Sequence, residues 1–360
     1  VLIDPDGWIL SNHHVTGGAS EHRVRLASGR SFPAVVVGTD PVGDISLLRI
    51  TEPPAEPLPH VALGTAADLV PGTTVLAIGN PFDLGGSDDT PTVTRGILGS
   101  GRIVRGGYTD AIQLDAPVNP GNSGGPALDL DGRLLGINGQ IRTRTGMRIN
   151  SGVGLAIACT QLAAFLPHLR DTPSGYVHHT AMPEGLRLAQ RDDGRVRIAA
   201  WEPEDPAARD LVRVDDTLLA VAGRPAIAPD TVEGLFASLP WTGPDTGVPV
   251  RLRAADGTER SVVLPAGRTE IPGRARHGIT VARGTGDGLR ITAIDPGSPA
   301  DAAGLEPGWD LLRAGAAPLQ RRLDWLKALA PLGIGDRLTL TVRDAEETLH
   351  ERALHLIPMP

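Results

Sequence analysis

The chain has 360 residues, which predicts two or three domains of ordinary size. A hydrophobic content of 41% with 21% charged residues is ordinary for globular protein and excludes a wholly disordered or fibrous chain. The formal charge of −8 argues against nucleic-acid binding, since nonspecific binding needs clustered basic side chains. Cys159 is the only cysteine, so a disulfide within the chain and a cysteine-rich metal site are excluded, and no metal or cofactor is expected.

The start of the chain carries no visible export or membrane signal. No apolar stretch approaches the 18 residues of a membrane-spanning helix, and no basic segment followed by an apolar region opens the chain. Because residues 1–3 already resemble part of a strand, we expect that residues are missing upstream. Composition alone therefore leaves export undecided.

The first half of the chain, residues 1–169, has the pattern of an antiparallel barrel or sandwich. Short β-branched or alternating segments alternate with Gly, Pro, Asn and Asp, as at residues 23–26, 34–37, 74–78 and 134–137. Apolar residues at helical spacing over residues 160–166 predict a helix that closes this domain.

A linker is predicted at residues 170–182. Turn-forming residues cluster at 171–175, and no clear periodicity follows them. The adjacent His178 and His179 could bind a metal, but no second cluster of ligands accompanies them. We therefore expect them in a solvated loop.

The rest of the chain uses one plan twice, at residues 183–267 and 277–358. Each copy has a glycine before a strand, a second short strand, a turn containing Pro-Ala, and a third strand. A repeat of about 80 to 90 residues is too long for a solenoid motif. The sequence therefore predicts two small tandem domains.

The strongest local signal is NPGNSGGP at residues 119–126. A serine hydroxyl is a poor nucleophile at neutral pH, so it needs a base and donors that stabilise an oxyanion. Glycines around Ser123 allow backbone angles that would direct the amides of Gly121 and Ser123 into one small cavity. The alternative is that this segment is merely a flexible turn.

A base and a carboxylate are available upstream of this serine. His13 and His14 follow an apparent strand end, and either could reach Ser123. Asp44 directly precedes an apolar strand-like run, so it could be partly buried beside a histidine and fix its tautomer. Asp40 competes for that role, but next to Pro41 it is a typical turn cap.

Three segments together resemble the signature blocks of the HtrA (Deg) family of serine proteases, in the family's order. They are DPDGWILSNHHV at residues 4–15, DPVGDISLL at 40–48 and NPGNSGGP at 119–126. In that family the catalytic histidine directly precedes the valine, so the resemblance selects His14 over His13, and it selects Asp44 over Asp40. Residues 77–81 and 152–157 resemble later family blocks.

This resemblance implies a mostly β fold, with a chymotrypsin-like protease domain of two six-stranded β-barrels followed by two small α+β PDZ domains. It implies that Ser123 attacks the scissile carbonyl after His14 takes its proton, while Asp44 orients His14. The oxyanion hole would be formed by Gly121, Asn122 and Ser123.

Specificity is predicted from two places. Trypsin-like enzymes that cut after Arg or Lys carry an aspartate six positions before the serine, and here that position is Pro117. A basic side chain would therefore be buried unpaired. Val153, Gly154 and Leu155, in the predicted pocket wall, favour cleavage after small or medium aliphatic residues.

Residues 295–308, DPGSPADAAGLEPG, closely resemble a bacterial PDZ block, although Trp309 follows where aspartate is usual. Residues 205–216 follow the same frame loosely, with Leu211 and Asp215 in place of typical glycines. PDZ domains add a peptide to an edge strand and capture its C-terminal carboxylate. Gly278 and Ile279, and residues 184–187 in the first copy, occupy the expected loop, but each loop could equally be an ordinary turn.

The resemblance implies an ATP-independent endopeptidase of protein quality control that cleaves unfolded or damaged polypeptides. Its other expected partners are C-terminal peptides at the PDZ domains and further copies of the chain, as a trimer. It implies an extracytoplasmic location, periplasmic or membrane-associated through an upstream segment. A chaperone-like or scaffold protein with a dormant site, and an esterase, remain as alternatives.

Overall fold

The computed structural model describes residues 1–17, 21–81, 90–105, 108–141, 152–172, 175–271, 275–284, 287–329 and 331–358. The chain divides into two compact units. The first comprises Val1–Asp171 and Val177–Thr269, and the second comprises Thr172–Tyr176 and Glu270–Pro360. Among the described residues, no helix is long and apolar enough to cross a bilayer.

The first 171 residues contain ten strands and two α-helices in their described part. The helices are α1 (His13–Thr16) and α2 (Cys159–Asp171), and Ala66–Asp68 forms a 3-10 turn. The strands are β1 (Trp8–Ser11), β2 (Glu21–Arg25), β3 (Ser31–Asp40), β4 (Ile45–Ile50), β5 (Thr74–Gly79), β6 (Thr92–Arg105), β7 (Tyr108–Leu114), β8 (Pro126–Leu128), β9 (Leu134–Ile141) and β10 (Gly154–Ala158).

These strands form one open sheet and one closed barrel. Strands β5 to β10 close into a six-stranded barrel in the order β10-β7-β6-β5-β8-β9. The earlier strands form a four-stranded sheet in the order β1-β4-β3-β2. The prediction of two six-stranded barrels is therefore wrong for the first of them as far as the structure describes it.

The closing helix is present and longer than the sequence predicts. Helix α2 buries Leu162, Phe165 and Leu169 completely, and their spacing of three and four residues puts them on one face. They pack with Leu10 and Ile137 in a core cluster shared by the sheet and the barrel. Cys159, at the start of the helix, is fully buried and behaves as a small apolar residue.

A small sheet module follows within the first unit. Its helix is α3 (Pro229–Ala237), and Pro206–Leu211 forms a 3-10 turn. Its strands are β11 (Thr180–Ala181), β12 (Leu186–Gln190), β13 (Val196–Trp201), β14 (Thr217–Val221), β15 (Arg224–Pro225), β16 (Gly247–Arg253), β17 (Glu259–Pro265) and β18 (Gly267–Arg268).

A second module of the same kind makes up most of the second unit. Its helices are α4 (Pro299–Ala302) and α5 (Arg322–Leu329). Its strands are β19 (Ala275–Arg276), β20 (Ile279–Arg283), β21 (Leu289–Ile294), β22 (Asp310–Ala314), β23 (Ala317–Pro318), β24 (Arg337–Arg343), β25 (Leu349–His355) and β26 (Ile357–Pro358).

The two modules share one topology, as the repeated sequence plan predicts. Their sheets run β12-β13-β14-β16-β17 and β20-β21-β22-β24-β25, with β15 and β23 in equivalent positions. The Pro-Ala turn is capped in both copies. Asp205 accepts the amide of Ala207 at 2.9 Å, and Ser298 accepts the amide of Asp301 at 3.3 Å.

Part of the segment predicted as a solvated linker is buried, at residues 177–180. His178 is 8% exposed and His179 is completely buried, so the expectation of a solvated loop for these histidines is wrong. The Nε2 atom of His179 lies 2.7 Å from Asp40 Oδ2, and its backbone pairs with Thr269. A charged partner and satisfied backbone groups offset the cost of burying a histidine.

Candidate active site

A cleft of about 880 Å³ contains all three residues of the predicted triad. It lies where the end of β1, the turn between β3 and β4, and the loop before β8 meet. Its lining residues are His13, His14, Val15, Pro41, Val42, Asp44, Tyr108, Val118, Asn119, Pro120, Gly121, Asn122, Ser123, Asn138 and Gly139.

His14 and Asp44 form a hydrogen-bonded pair in this cleft. The Nδ1 atom of His14 lies 2.8 Å and 2.9 Å from the two carboxylate oxygens of Asp44. The His14 amide also donates to Asp44 Oδ1 at 3.0 Å. An ionised carboxylate only accepts, so Nδ1 carries the proton and Nε2 is the nitrogen that can act as a base. The His14 side chain is 50% exposed, so substrate can reach it.

Asp40, the competitor for the role of Asp44, caps the turn that leads to it. Its Oδ1 atom accepts the amides of Val42 at 3.0 Å and Gly43 at 2.8 Å. This is the turn-capping role that its position before Pro41 predicts. Asp44 itself has φ of 60°, in the left-handed region that few residues other than glycine and Asn or Asp adopt. Such backbone is typical of functional sites.

The His13 ring, which also lines the cleft, is hydrogen-bonded to Thr39. Its Nδ1 atom lies 2.8 Å from the hydroxyl of Thr39, and burial lowers the pKa of its ring, more than nearby carboxylates raise it. The family pattern and the structure therefore agree on His14 as the ring paired with Asp44.

Ser123 lies in a loop shaped by glycine. Gly121 has φ of 102°, a conformation that side chains strongly disfavour, and a Cβ there would lie 2.2 Å from the carbonyl oxygen of Asn80. Among the described residues, the amides of Gly121 and Ser123 donate to no acceptor. The Ser123 hydroxyl donates to the carbonyl of Gly139 at 3.2 Å.

Asn122 differs from its predicted role as an oxyanion donor. Its amide donates to the carbonyl of Asn119 at 3.0 Å, so it is occupied in this conformation. Its side chain is 2% exposed, and both polar atoms of its carboxamide lack a hydrogen-bond partner in the described part of the chain. The structure therefore leaves Gly121 and Ser123 as the two available donors.

The predicted pocket residues lie beside the cleft rather than in its lining. Pro117 is exposed, and its carbonyl accepts the hydroxyl of Thr94 at 2.7 Å. Val153 is half-buried, and Gly154 and Leu155 are buried in β10. Leu155 packs into the core with Ile137 and Phe165.

Gly278 and Ile279 lead into β20, an edge strand of the second module. The Ile279 side chain is 6% exposed and packs in the module core, while its amide donates to Nδ1 of His277 at 3.0 Å. Burial lowers the pKa of His277 by more than the charge of Asp295 raises it. The lowered pKa favours the neutral ring, whose Nδ1 can accept the hydrogen bond. In the first module the corresponding amide, of Leu186, donates to the carbonyl of Pro183 at 3.2 Å.

Two residues that sequence reasoning missed hold the site together. Asn12 is completely buried; its Nδ2 donates to the Asp44 carbonyl at 3.1 Å, and its Oδ1 accepts the Gly124 amide at 2.6 Å. The Tyr108 hydroxyl donates to Asp44 Oδ2 at 3.0 Å. The position of Asn12 within the histidine block is a sequence signal for its role, and nothing local in the sequence signals the role of Tyr108.

Within the described residues, no group of three or more His, Cys, Asp or Glu is placed to hold a metal ion.

Known proteins share this architecture. The family model for the trypsin-like peptidase domain matches residues 1–137, which include all three residues of the predicted triad. The protein of Halomonas elongata named "Probable periplasmic serine endoprotease DegP-like" is 32% identical over 343 residues, covering 87% of this chain and 69% of that relative. A protein of the same name from Chlamydia pneumoniae is 29% identical over 335 residues, covering 85% of this chain and 65% of the relative.

Among solved structures, one titled "HtrA-type protease AlgW with tripeptide" aligns with a TM-score of 0.57 and 28% identity. The alignment covers 76% of this chain and 89% of that chain. Fold and site together thus define a serine peptidase of the trypsin type. More narrowly, the chain belongs to the HtrA family of DegP-like serine endoproteases, and it spans about two thirds of the length of the two curated relatives.

Proposed function

We propose that this chain is an ATP-independent endopeptidase that cleaves unfolded or damaged polypeptides with Ser123 as nucleophile. The observation that carries the proposal is the meeting of Ser123 with the His14–Asp44 pair in one open cleft. Within the described part of the chain the amides of Gly121 and Ser123 donate to no acceptor, and they would supply the oxyanion donors that acyl transfer needs.

In the proposed reaction the Ser123 hydroxyl leaves the Gly139 carbonyl and turns toward His14. Nε2 of His14 takes its proton as Oγ attacks the scissile carbonyl, and Asp44 stabilises the imidazolium that forms. The imidazolium returns the proton to the leaving amine. Water activated by the same ring then hydrolyses the acyl-enzyme. The amides of Gly121 and Ser123 stabilise the oxyanion, and the loss of one such donor raises the barrier by about 3 to 4 kcal/mol.

For specificity we keep the proposal of small or medium aliphatic residues before the scissile bond. Val118 lines the cleft beside the serine loop and offers an apolar surface. Pro117 stands where a carboxylate would be needed to pair with a basic side chain. Gly154 and Leu155 in β10, and Val153 just before it, would then act by supporting this wall.

We further propose that residues 183–267 and 277–358 are PDZ domains. Their shared topology has β12 and β20 at sheet edges, where a peptide could add as a further strand. Gly278 and Ile279 would bind a C-terminal carboxylate once the Ile279 amide is released from His277. The names of the curated relatives give a periplasmic location for those proteins, and we propose an extracytoplasmic location for this chain. Assembly as a homotrimer, which the family resemblance implies, completes the proposal.

Digestion of β-casein by the parent chain and by Ser123→Ala tests the proposed activity, with cleavage sites mapped by mass spectrometry. Ser261→Ala, an exposed serine in the first module, is the matched control. We expect cleavage after aliphatic residues that persists in the control and disappears in Ser123→Ala. Equal cleavage by Ser123→Ala would refute the role of this serine.

One observation favours the second candidate, a chaperone-like binding protein with a dormant site. The Ser123 hydroxyl is bonded to the Gly139 carbonyl, which is an inactive orientation for the nucleophile. If the site is dormant, a fluorophosphonate would leave Ser123 unlabelled even with hydrophobic C-terminal peptides present, while casein still binds. Labelling that appears on addition of such peptides would instead support an activated protease.

A further inference from the structure

The hydroxyl of Tyr108 occupies a third position around the carboxylate of Asp44. Tyr108 begins β7 and is 2% exposed, and its hydroxyl lies 3.0 Å from Asp44 Oδ2, the oxygen that is 2.8 Å from His14 Nδ1. Because an ionised carboxylate only accepts, Tyr108 is the donor. Asp44 thus accepts from the His14 ring, the His14 amide and the Tyr108 hydroxyl.

The same hydroxyl fills the space beside Gly139. A Cβ at position 139 would lie 2.0 Å from the Tyr108 oxygen and 2.9 Å from its Cζ, so no larger residue fits there. The carbonyl of Gly139 in turn accepts the hydroxyl of Ser123 at 3.2 Å. Tyr108 therefore touches both the carboxylate end of the triad and the strand that lies against the nucleophile.

We propose that Tyr108 is a positioning residue, which holds the Asp44 carboxylate in line with His14 and which requires glycine at position 139. This inference deepens the proposed function and rests on it. The phenol is suited to the task because burial raises its pKa far above the usual value, and the charge of Asp44 raises it further. It therefore remains a neutral donor wherever the enzyme works. Hydrogen bonds to a charged acceptor are about twice as strong as neutral ones.

Tyr108→Phe removes the donor and keeps the ring. We expect kcat for a peptide substrate to fall between about tenfold and a hundredfold with KM unchanged, the range for a lost hydrogen bond to a charged group. In the Asp44→Asn background the same change should cost no further activity, because the anion that it serves is absent. Rates of Ser123 labelling by a fluorophosphonate extend the comparison to variants too slow for turnover. Tyr176→Phe, at the only other tyrosine, is the control and should match the parent.

An unfolding experiment tests the contact without any need for activity. We expect Tyr108→Phe to lower the urea midpoint in the parent but not in Asp44→Asn, and Gly139→Ala to destabilise the parent more than Tyr108→Phe. An equal loss in both backgrounds would reduce Tyr108 to a packing role and overturn the inference. If the parent itself failed to cut or to be labelled, the proposed function would fail, while the unfolding cycle would still decide whether Tyr108 binds Asp44.

Discussion

Two histidine–aspartate pairs share the turn between β3 and β4, and they differ mainly in exposure. His14 and Asp44 are 2.8 Å apart, with side chains 50% and 14% exposed. His179 and Asp40 are 2.7 Å apart, and both side chains are completely buried. The same chemical pair thus occurs on either end of a five-residue turn, once facing a cleft and once sealed in the interior.

The surroundings of each imidazole decide what it can do. The Nδ1 of His179 is bonded to the carbonyl of Ala237 in α3, and its Nε2 to both oxygens of Asp40. A carbonyl and a carboxylate only accept hydrogen bonds, so both ring nitrogens carry protons. Neither nitrogen can therefore take a proton from another group. Burial lowers the pKa of His179, but the charge and hydrogen bond of Asp40, with the bond to Ala237, outweigh it and raise the pKa.

The burial and the hydrogen bonds of His179 and Asp40 indicate a structural role for this pair. It joins the turn that carries Asp44 to the first module, since Asp40 also caps that turn through the amides of Val42 and Gly43. In the exposed pair, Nδ1 of His14 faces Asp44, and Nε2 is the nitrogen that would act as the base. The two pairs have similar charges and similar separations, so these quantities do not distinguish a catalytic pair from a structural one. Access to substrate distinguishes them.

The largest effect is expected from Asp44→Asn. An asparagine in this place holds His14 in the wrong tautomer, and the equivalent change in a serine protease lowers kcat by about 10⁴. Hydrolysis of a peptide substrate measures the loss, and circular dichroism verifies the fold. If Asp44→Asn kept near-parental activity, the exposed pair would not be catalytic and the comparison would fail.

Asp40→Asn should have the opposite effect, with a large loss of stability and a small loss of activity. It leaves a buried imidazole without its counter-charge, so we expect a loss of about 3 kcal/mol in unfolding free energy. Asparagine keeps an oxygen for the turn amides, so activity of the folded protein should fall by less than about tenfold. Urea unfolding measures the first quantity and initial rates the second. Glu56→Gln, which breaks an exposed pair with Arg30, is the control and should leave the midpoint unchanged.

Asn12→Ala should disturb the exposed pair and spare the buried one. It leaves the Asp44 carbonyl without one donor and the Gly124 amide without one of its acceptors. We expect a loss of about 1 to 3 kcal/mol in stability and a roughly tenfold fall in kcat. Gln190→Ala removes an exposed carboxamide in the first module and should change neither. A stability loss with unchanged kcat would show that Asn12 supports the fold alone.

The sequence predicts the parts of this site that local pattern encodes. The triad residues lie in three short motifs, and Asp40 next to Pro41 is a recognisable turn cap. The contacts that complete the site join residues 64, 112 and 139 positions apart: Tyr108 with Asp44, Gly124 with Asn12, and His179 with Asp40. Each contact forms only when distant segments pack together in the folded chain, so no periodicity or spacing in the sequence predicts it.

The linker at residues 170–182 is a second place where contacts between distant residues could not be predicted from the sequence. Two histidines among turn formers predict a solvated loop, because nothing nearby in sequence could pair with them. The fold instead supplies Asp40 to His179 and packs the ring of Phe165 against it, with centroids 4.5 Å apart. The number of strands in the first sheet likewise follows from the family resemblance alone, because no residue pattern in this chain specifies it.

The smallest effect is the pH dependence of the stability that the buried pair provides. A raised pKa means that the folded chain holds the proton of His179 more tightly than the unfolded chain does. The stability that the pair provides is therefore complete below the unfolded pKa of about 6.5 and is lost as pH rises through the folded value. Compared with His179→Gln, the parent's advantage in unfolding free energy should shrink above about pH 6.5, by at most about 1.4 kcal/mol per pH unit. Groups common to both proteins, such as His13, cancel in this difference, so an advantage that stays constant or grows with pH would mean that the buried ring is neutral.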